Sequence, residues 1–329
     1  MFSYAVVIRT LGNTGEKYRA LLEAIRRQTV KPEEVIVVIP NGCSLDYTLG
    51  TEHIMFSEKG MVTQRAIGIA EAKAEYLLVV DDDLDFSNDF VEKLYKHMRS
   101  NALDCVLAFH NGDSIQNESN QVSKKNSIVK NTMDFLMRVR LAFTGQAFYS
   151  HRKSHYFDTI TTTGGHRTYV RCKEMPCQTG CFQVFFIKRD KAKAVKFEEE
   201  LWLQQGSVSS YAAYDDAVFF YKLFLQGGRL AYCLTTSYTH LDAATGRIAK
   251  DKISAKRIRL YSIARNRTIF WYRYIWSNHR NLHTLLGGLY GMINYAVYST
   301  IINLIPKNWP AVSALFQGYR DAYKVIREL

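Results

Sequence analysis

Three short runs of apolar, largely β-branched residues mark the first eighty positions: YAVVI at Tyr4–Ile8, EVIVVI at Glu34–Ile39 and YLLVV at Tyr76–Val80. Each run is continuous rather than alternating, the pattern of a strand buried on both faces. Between them lie two helical patterns, one carrying Leu21, Leu22 and Ile25 after the loop TLGNTGE, the other at Met61–Lys73. Pro40, Asn41 and Gly42 close the second strand as turn residues, and three aspartates end the third. Strands and helices in alternation predict a parallel sheet covered on both faces, a doubly wound α/β domain.

The stretch from about His110 to Val170 is rich in Asn, Ser, Thr and Lys with weak periodicity, so loops and short helices over the site are expected there. Order returns with a strand in Cys181–Ile187, the segment FEEELW at Phe197–Trp202, and a helix in DDAVFFYKLFLQGG that Gly227 and Gly228 would stop. Leu230–Thr236 reads as a further strand that delivers His240. Beyond Gly246 the chain is basic and aromatic up to Trp276, then free of Lys, Arg, Asp and Glu from Asn281 to Pro306. The expected division is a catalytic domain over residues 1–245 and a helical appendage over 246–329. Internal repeats and low-complexity segments are absent.

Composition sharpens this picture. A chain of 329 residues, 47% hydrophobic, can bury a full core, which excludes disorder as the default. Its net charge of +12 is localised: residues 246–329 hold fourteen Lys or Arg against three Asp or Glu. Such asymmetry predicts an anionic partner, phospholipid or nucleic acid. The six scattered cysteines suit reduced thiols, and the spacing of Cys172, Cys177 and Cys181 fits no two-residue zinc knuckle. MFSYAVVIRT has neither a basic segment ahead of a long apolar run nor a small-residue cleavage site, so a cytoplasmic catalytic part is expected.

The candidate chemistry is carboxylate chemistry. Asp81, Asp82 and Asp83 sit at the C-terminal edge of a buried strand, where open α/β sheets bind ligands. Two residues apart on extended chain, Asp81 and Asp83 would face the same way and suit a hard divalent cation, Mg²⁺ or Mn²⁺. The plainer alternative is a solvated acidic turn, with Ser87 or Asn88 capping the next helix. Asp215 and Asp216 open an apolar helix, either as caps that favour the positive end of its dipole or, for Asp216, as a general base. His240, just past a strand, is either a structural histidine or a cation ligand.

In order and spacing these blocks resemble family 2 glycosyltransferases of the GT-A fold, from Tyr4 to about His240. The opening strand, helix and strand, with Gln28 and Thr29 before the second strand, resemble the family's start. KGMVTQRAIGIAEAKAEYLLVVDDD resembles its approach to the D-x-D motif, FEEELW its "G-F-D-E" region, and YDDAVFFYKLFLQGG its "E-D" helix. The resemblance implies a nucleotide diphosphate sugar donor, Mn²⁺ or Mg²⁺ held through Asp83, and Asp81 nearer the ribose or the metal's waters with Asp82 beside it. It further implies His240 near the metal or diphosphate, Arg9 and Thr10 lining the nucleotide pocket, Asp215 in the Glu position and Asp216 as base. The implied reaction is a single, inverting displacement by a hydroxyl of a glycan or lipid-linked acceptor. One departure is that Ile39, Pro40 and Asn41 stand where many relatives carry base-binding acids.

Two rival expectations are a sugar nucleotidyltransferase, for which TLGNTGEKYR carries two glycines with Lys17 and Arg19, and a nucleic-acid-binding protein, which leaves the acidic clusters unexplained. Leu285–Ile305 is long enough to cross a hydrocarbon layer, but Asn294, Asn303 and three glycines weaken it. Helices lying on an anionic membrane at its cytoplasmic face, without nucleic acid, are the expectation for the appendage.

Overall fold

The computed structural model describes residues 2–111, 155–168, 175–241, 251–304 and 308–329. Most of the loops and short helices expected between His110 and Val170 therefore lie outside the described residues, as do Cys172 and the expected boundary at 246. The chain forms two compact units, one from residues 1–112, 173–205 and 210–248, the other from 113–172, 206–209 and 249–329.

The first unit begins as the apolar runs predict: β1 Tyr4–Arg9, α1 Glu16–Arg26, β2 Glu34–Pro40, β3 His53–Ser57, α2 Met61–Glu71 and β4 Tyr76–Asp81. A short β5, Leu84–Phe86, leads to α3, Phe90–Ser100, and β6, Cys105–His110. Asp89, rather than Ser87 or Asn88, stands at the N-cap of α3, with Ser87 donating to its carboxylate at 2.7 Å. β1 pairs in parallel with β2 and β4, and β2 with β3. Alternate residues serve opposite faces. Val6, Ile8, Val37 and Leu78 pack with Leu21 and Leu22 of α1 and Leu94 of α3. Val7 and Val38 point the other way, onto α2, where a Cβ on Gly68 would stand 2.4 Å from Val7 Cγ1. Glycine lets α2 approach the sheet that closely.

The hairpin β7 Asp158–Ile160 and β8 His166–Thr168 belongs to the second unit, while β9 Pro176–Cys177 and β10 Val184–Lys188 return to the first. β10 enters the sheet antiparallel between β4 and β6, burying Phe185 and Phe186 on opposite faces. A central strand buried on both faces reads as a continuous apolar run whatever its direction, which is why CFQVFFI predicted the strand and not its polarity. After α4, Arg189–Ala194, the segment containing FEEELW forms a 3₁₀ helix, Phe197–Gln204. α5, Asp215–Leu225, ends at Gly227 in the left-handed region (φ 80°), the C-terminal stop expected of it. β11, Leu230–His240, runs parallel to β6 and pairs with β5 and β9, giving the order β3-β2-β1-β4-β10-β6-β11-β5.

Among the described residues the second unit carries three long helices: α6 Lys252–Phe270, which continues into a π-helical turn at Trp271–Trp276, then α7 Leu282–Leu304 and α8 Trp309–Glu328. Leu260 and Ala264 of α6 pack on Ala311 and Leu315 of α8. Buried Arg267 and Trp271 donate to the carbonyls of Thr163 and Thr162 in the β7–β8 turn. α7 is long and apolar enough to cross a membrane, and its Leu282, Leu286, Leu289, Ile293, Val297 and Ile301 are exposed.

Candidate active site

The three aspartates stand at the end of β4 and take three separate sets of partners. Asp81 is the last residue of the strand, opposite Arg9 of β1. Its Oδ1 accepts from Arg9 Nη2 and from Arg65 Nη2, each at 2.9 Å. Burial favours the neutral acid, but the two guanidinium groups prevail and hold the Asp81 carboxyl below its usual range. Asp82 turns to the loop after β1, where its Oδ2 accepts from the hydroxyls of Thr10 and, at 2.6 Å, Thr14. Asp83 meets β11: His240 Nε2 lies 3.2 Å from its Oδ2, and Leu241 N donates to its carbonyl at 2.8 Å. Asp81 and Asp83, expected to act on one side together, are thus engaged separately.

The second acidic pair arrives on α5. Tyr214, in the left-handed region at φ 73°, turns the chain so that both aspartates open the helix. Asp215 is buried, and its Oδ2 accepts from Arg65 Nη1 at 2.7 Å. Burial raises the Asp215 carboxyl to about 6, against the attraction of Arg65 and with the repulsion of Asp216. Asp216 is half-buried, and Ala217 N donates to its Oδ1 at 2.7 Å. The structure therefore brings the two acidic clusters into one site.

Arg65 makes that junction, and it was not singled out in the sequence. Its side chain is 2% exposed, with the guanidinium 4.3 Å from the centre of the Phe182 ring. A signal existed: on α2, Arg65 stands three residues after Val62 and four before Ile69, on the face those residues bury. Arginine there is almost never fully buried unless paired, so an inward carboxylate partner was legible in principle. Gln64 carries the same signal, with its amide donating to the carbonyls of Thr10 and Val38 at 2.9 Å each.

Arg9 Nε is buried with no hydrogen-bond acceptor among the described residues, which suits a region that receives an anion. Asp83 and His240 set a carboxylate oxygen beside an imidazole nitrogen, donors suited to Mn²⁺ or Mg²⁺. Among the described residues no three His, Cys, Asp or Glu side chains converge, so a cation here would complete its shell from diphosphate oxygens and water. Neither Cys177, which is buried, nor Cys181, which is exposed, is joined in a disulfide.

Carboxylates from a strand end and a helix start thus meet at the carboxyl edge of a doubly wound α/β sheet, where such sheets bind ligands. Residues 6–158 match the family model described as glycosyl transferase family 2. The chain is also similar to solved structures of S. aureus TarS residues 1–349, at 12% identity and TM-score 0.42, and to TarS in complex with UDP, at 14% and 0.44. In both cases 99% of this chain and 91% of the other are covered. No curated protein matches the chain in sequence.

Proposed function

We propose that the protein moves a sugar, with inversion, from a nucleotide diphosphate donor to a hydroxyl of a glycan or lipid-linked acceptor. The observation that carries this is the Arg65 junction, which sets the strand-end aspartates and the Asp215–Asp216 pair in one site. Arg9 and Thr10 line the nucleotide side, with Asp81 and Asp82 fixed by their own partners. Asp216, partly exposed at the head of α5, takes the proton from the acceptor hydroxyl as that oxygen attacks the anomeric carbon. One displacement inverts the configuration, and the reading includes no enzymatic nucleophile close to the sugar. Asp83 and His240 would hold a Mn²⁺ or Mg²⁺ ion, which when bound supplies charge compensation for the leaving diphosphate.

Residues 1–245 would form the catalytic part. Residues 246–329 would rest on anionic lipid at the cytoplasmic face of the membrane, consistent with their basic excess. The test is incubation with a panel of nucleotide sugars and Mn²⁺, reading release of the nucleoside diphosphate and the anomeric configuration of the product by NMR. Inverted product is expected, and a retained configuration overturns the mechanism.

A further inference from the structure

The guanidinium of Arg65 uses two nitrogens in two directions, Nη2 to Asp81 on the donor side and Nη1 to Asp215 beside the base. Its own place is fixed independently of either carboxylate. Gln64, the preceding residue, ties α2 to the ends of β1 and β2 through the carbonyls of Thr10 and Val38. The first turn of α2 is capped from outside by Gln204, whose Oε1 accepts from Val62 N at 3.1 Å and whose amide donates to Thr63 Oγ1 at 2.6 Å. The ring of Phe182 covers the guanidinium. α5, by contrast, enters from a left-handed residue with no side-chain cap, so its first turn has Arg65 as its tie to α2.

We propose that Arg65 is a positioning residue that acts through Asp215 to set where Asp216 stands against the donor bound beside Asp81. This deepens the glycosyl-transfer reading and rests on it. The alternative role is charge compensation for buried carboxylates, which any cation would meet. Lysine separates the two, because it keeps the charge but offers a single ammonium in place of a rigid fork that reaches two carboxylates. A displacement of Asp216 by about 1 Å is enough to cost on the order of 100-fold in rate.

The experiment is a mutant cycle in the full chain with Arg65→Lys, Asp215→Ala and the double variant, measuring kcat, donor KM and Tm. Positioning through Asp215 gives each single variant a kcat loss of about 10- to 100-fold with donor KM changed less than about threefold. The double variant is then no slower than the slower single one, because both break the same link. Unchanged kcat in Arg65→Lys, or losses that multiply, overturns the proposal, as does a fall in Tm with kcat preserved. Should Arg65→Lys fail to fold, Asp215→Ala removes the acceptor from the other side, and a full kcat there overturns it equally. A wild-type chain inactive on every donor overturns the glycosyl-transfer reading and this proposal with it. An active wild type with multiplying losses overturns the role of Arg65 alone.

Discussion

Asp215 is buried and its neighbour Asp216 half-buried, and their substitutions should separate. Asp216→Asn is expected to keep donor binding, read by calorimetry, and to lower kcat by about two to four powers of ten, the usual weight of a positioned base. Asp215→Asn should cost less, and the reverse order would shift the base by one residue. Asp215 also carries a pH signature. Burial lifts its carboxyl from 3.8 to about 6, so the folded chain binds that proton more tightly than the unfolded chain does. The stability it confers is complete below its usual value and is lost as pH rises through about 6. Urea unfolding between pH 4 and 7 should show that loss in the wild type and a flatter profile in Asp215→Asn; an identical slope in both assigns the proton elsewhere. Asp83→Ala should abolish Mn²⁺-dependent donor binding, and unchanged affinity would sink the metal assignment. The aspartates and His240 were legible from the sequence because carboxylates at a strand end or helix start announce themselves by position. Their pairing was not. That Asp81 spends its charge on Arg9 and Arg65, while Asp83 faces His240, depends on which strands become neighbours, and local pattern does not encode adjacency.

Among the elements, the 3₁₀ helix Phe197–Gln204 shows how a segment chosen by resemblance gains a physical role. Glu200 is fully buried, accepting from Trp202 Nε1 at 2.6 Å and from Lys222 Nζ of α5 at 2.7 Å. With Gln204 on α2, this short helix ties α2 to α5, the two helices that Arg65 and the acidic pair occupy. Replacing Glu200 by leucine leaves the Lys222 ammonium, 15% exposed, without its buried partner. Breaking one side of a buried pair costs on the order of 3 kcal/mol, so the urea midpoint should fall clearly while the m-value holds. A loss under about 0.5 kcal/mol would mean that Lys222 is satisfied by Glu199, 3.4 Å away. The positions of β1, β2, β4, β10 and β11 and of α1, α2 and α5 were legible to within a few residues, since apolar runs and periodicity set them, whereas β3, β5 and β6 were not read from the sequence. The antiparallel direction of β10 was not legible, because its fully apolar face pattern is shared by both strand directions.

At the scale of the whole molecule, the charge asymmetry read from the sequence acquires surfaces in the second unit. α7 exposes an apolar stripe in which Leu282, Ile293 and Ile301 are 69%, 60% and 52% exposed. α8 exposes Trp309, Phe316 and Tyr323 at seven-residue intervals, so they share a face, with Arg320, Lys324 and Arg327 exposed among them. Tyr319, beside that face, donates to the Met292 carbonyl of α7, so adjoining helices carry the two stripes. Aromatic rings interleaved with cations suit the headgroup zone of an anionic bilayer, and an apolar stripe suits the acyl boundary beneath it. The full chain is therefore expected to bind anionic vesicles more tightly than neutral ones, with added salt weakening the attachment. Each surface cation contributes about 1 kcal/mol, so replacing Arg320, Lys324 and Arg327 by alanine should weaken binding by roughly two powers of ten. Leu286→Gln with Ile293→Gln should weaken binding to anionic and neutral vesicles alike, because it removes apolar contact rather than charge. Alkaline carbonate should extract the protein from membranes if α7 lies in the interface; resistance to carbonate would show that α7 spans the membrane. Competition by RNA with a steep salt dependence would turn the basic surface over to nucleic acid.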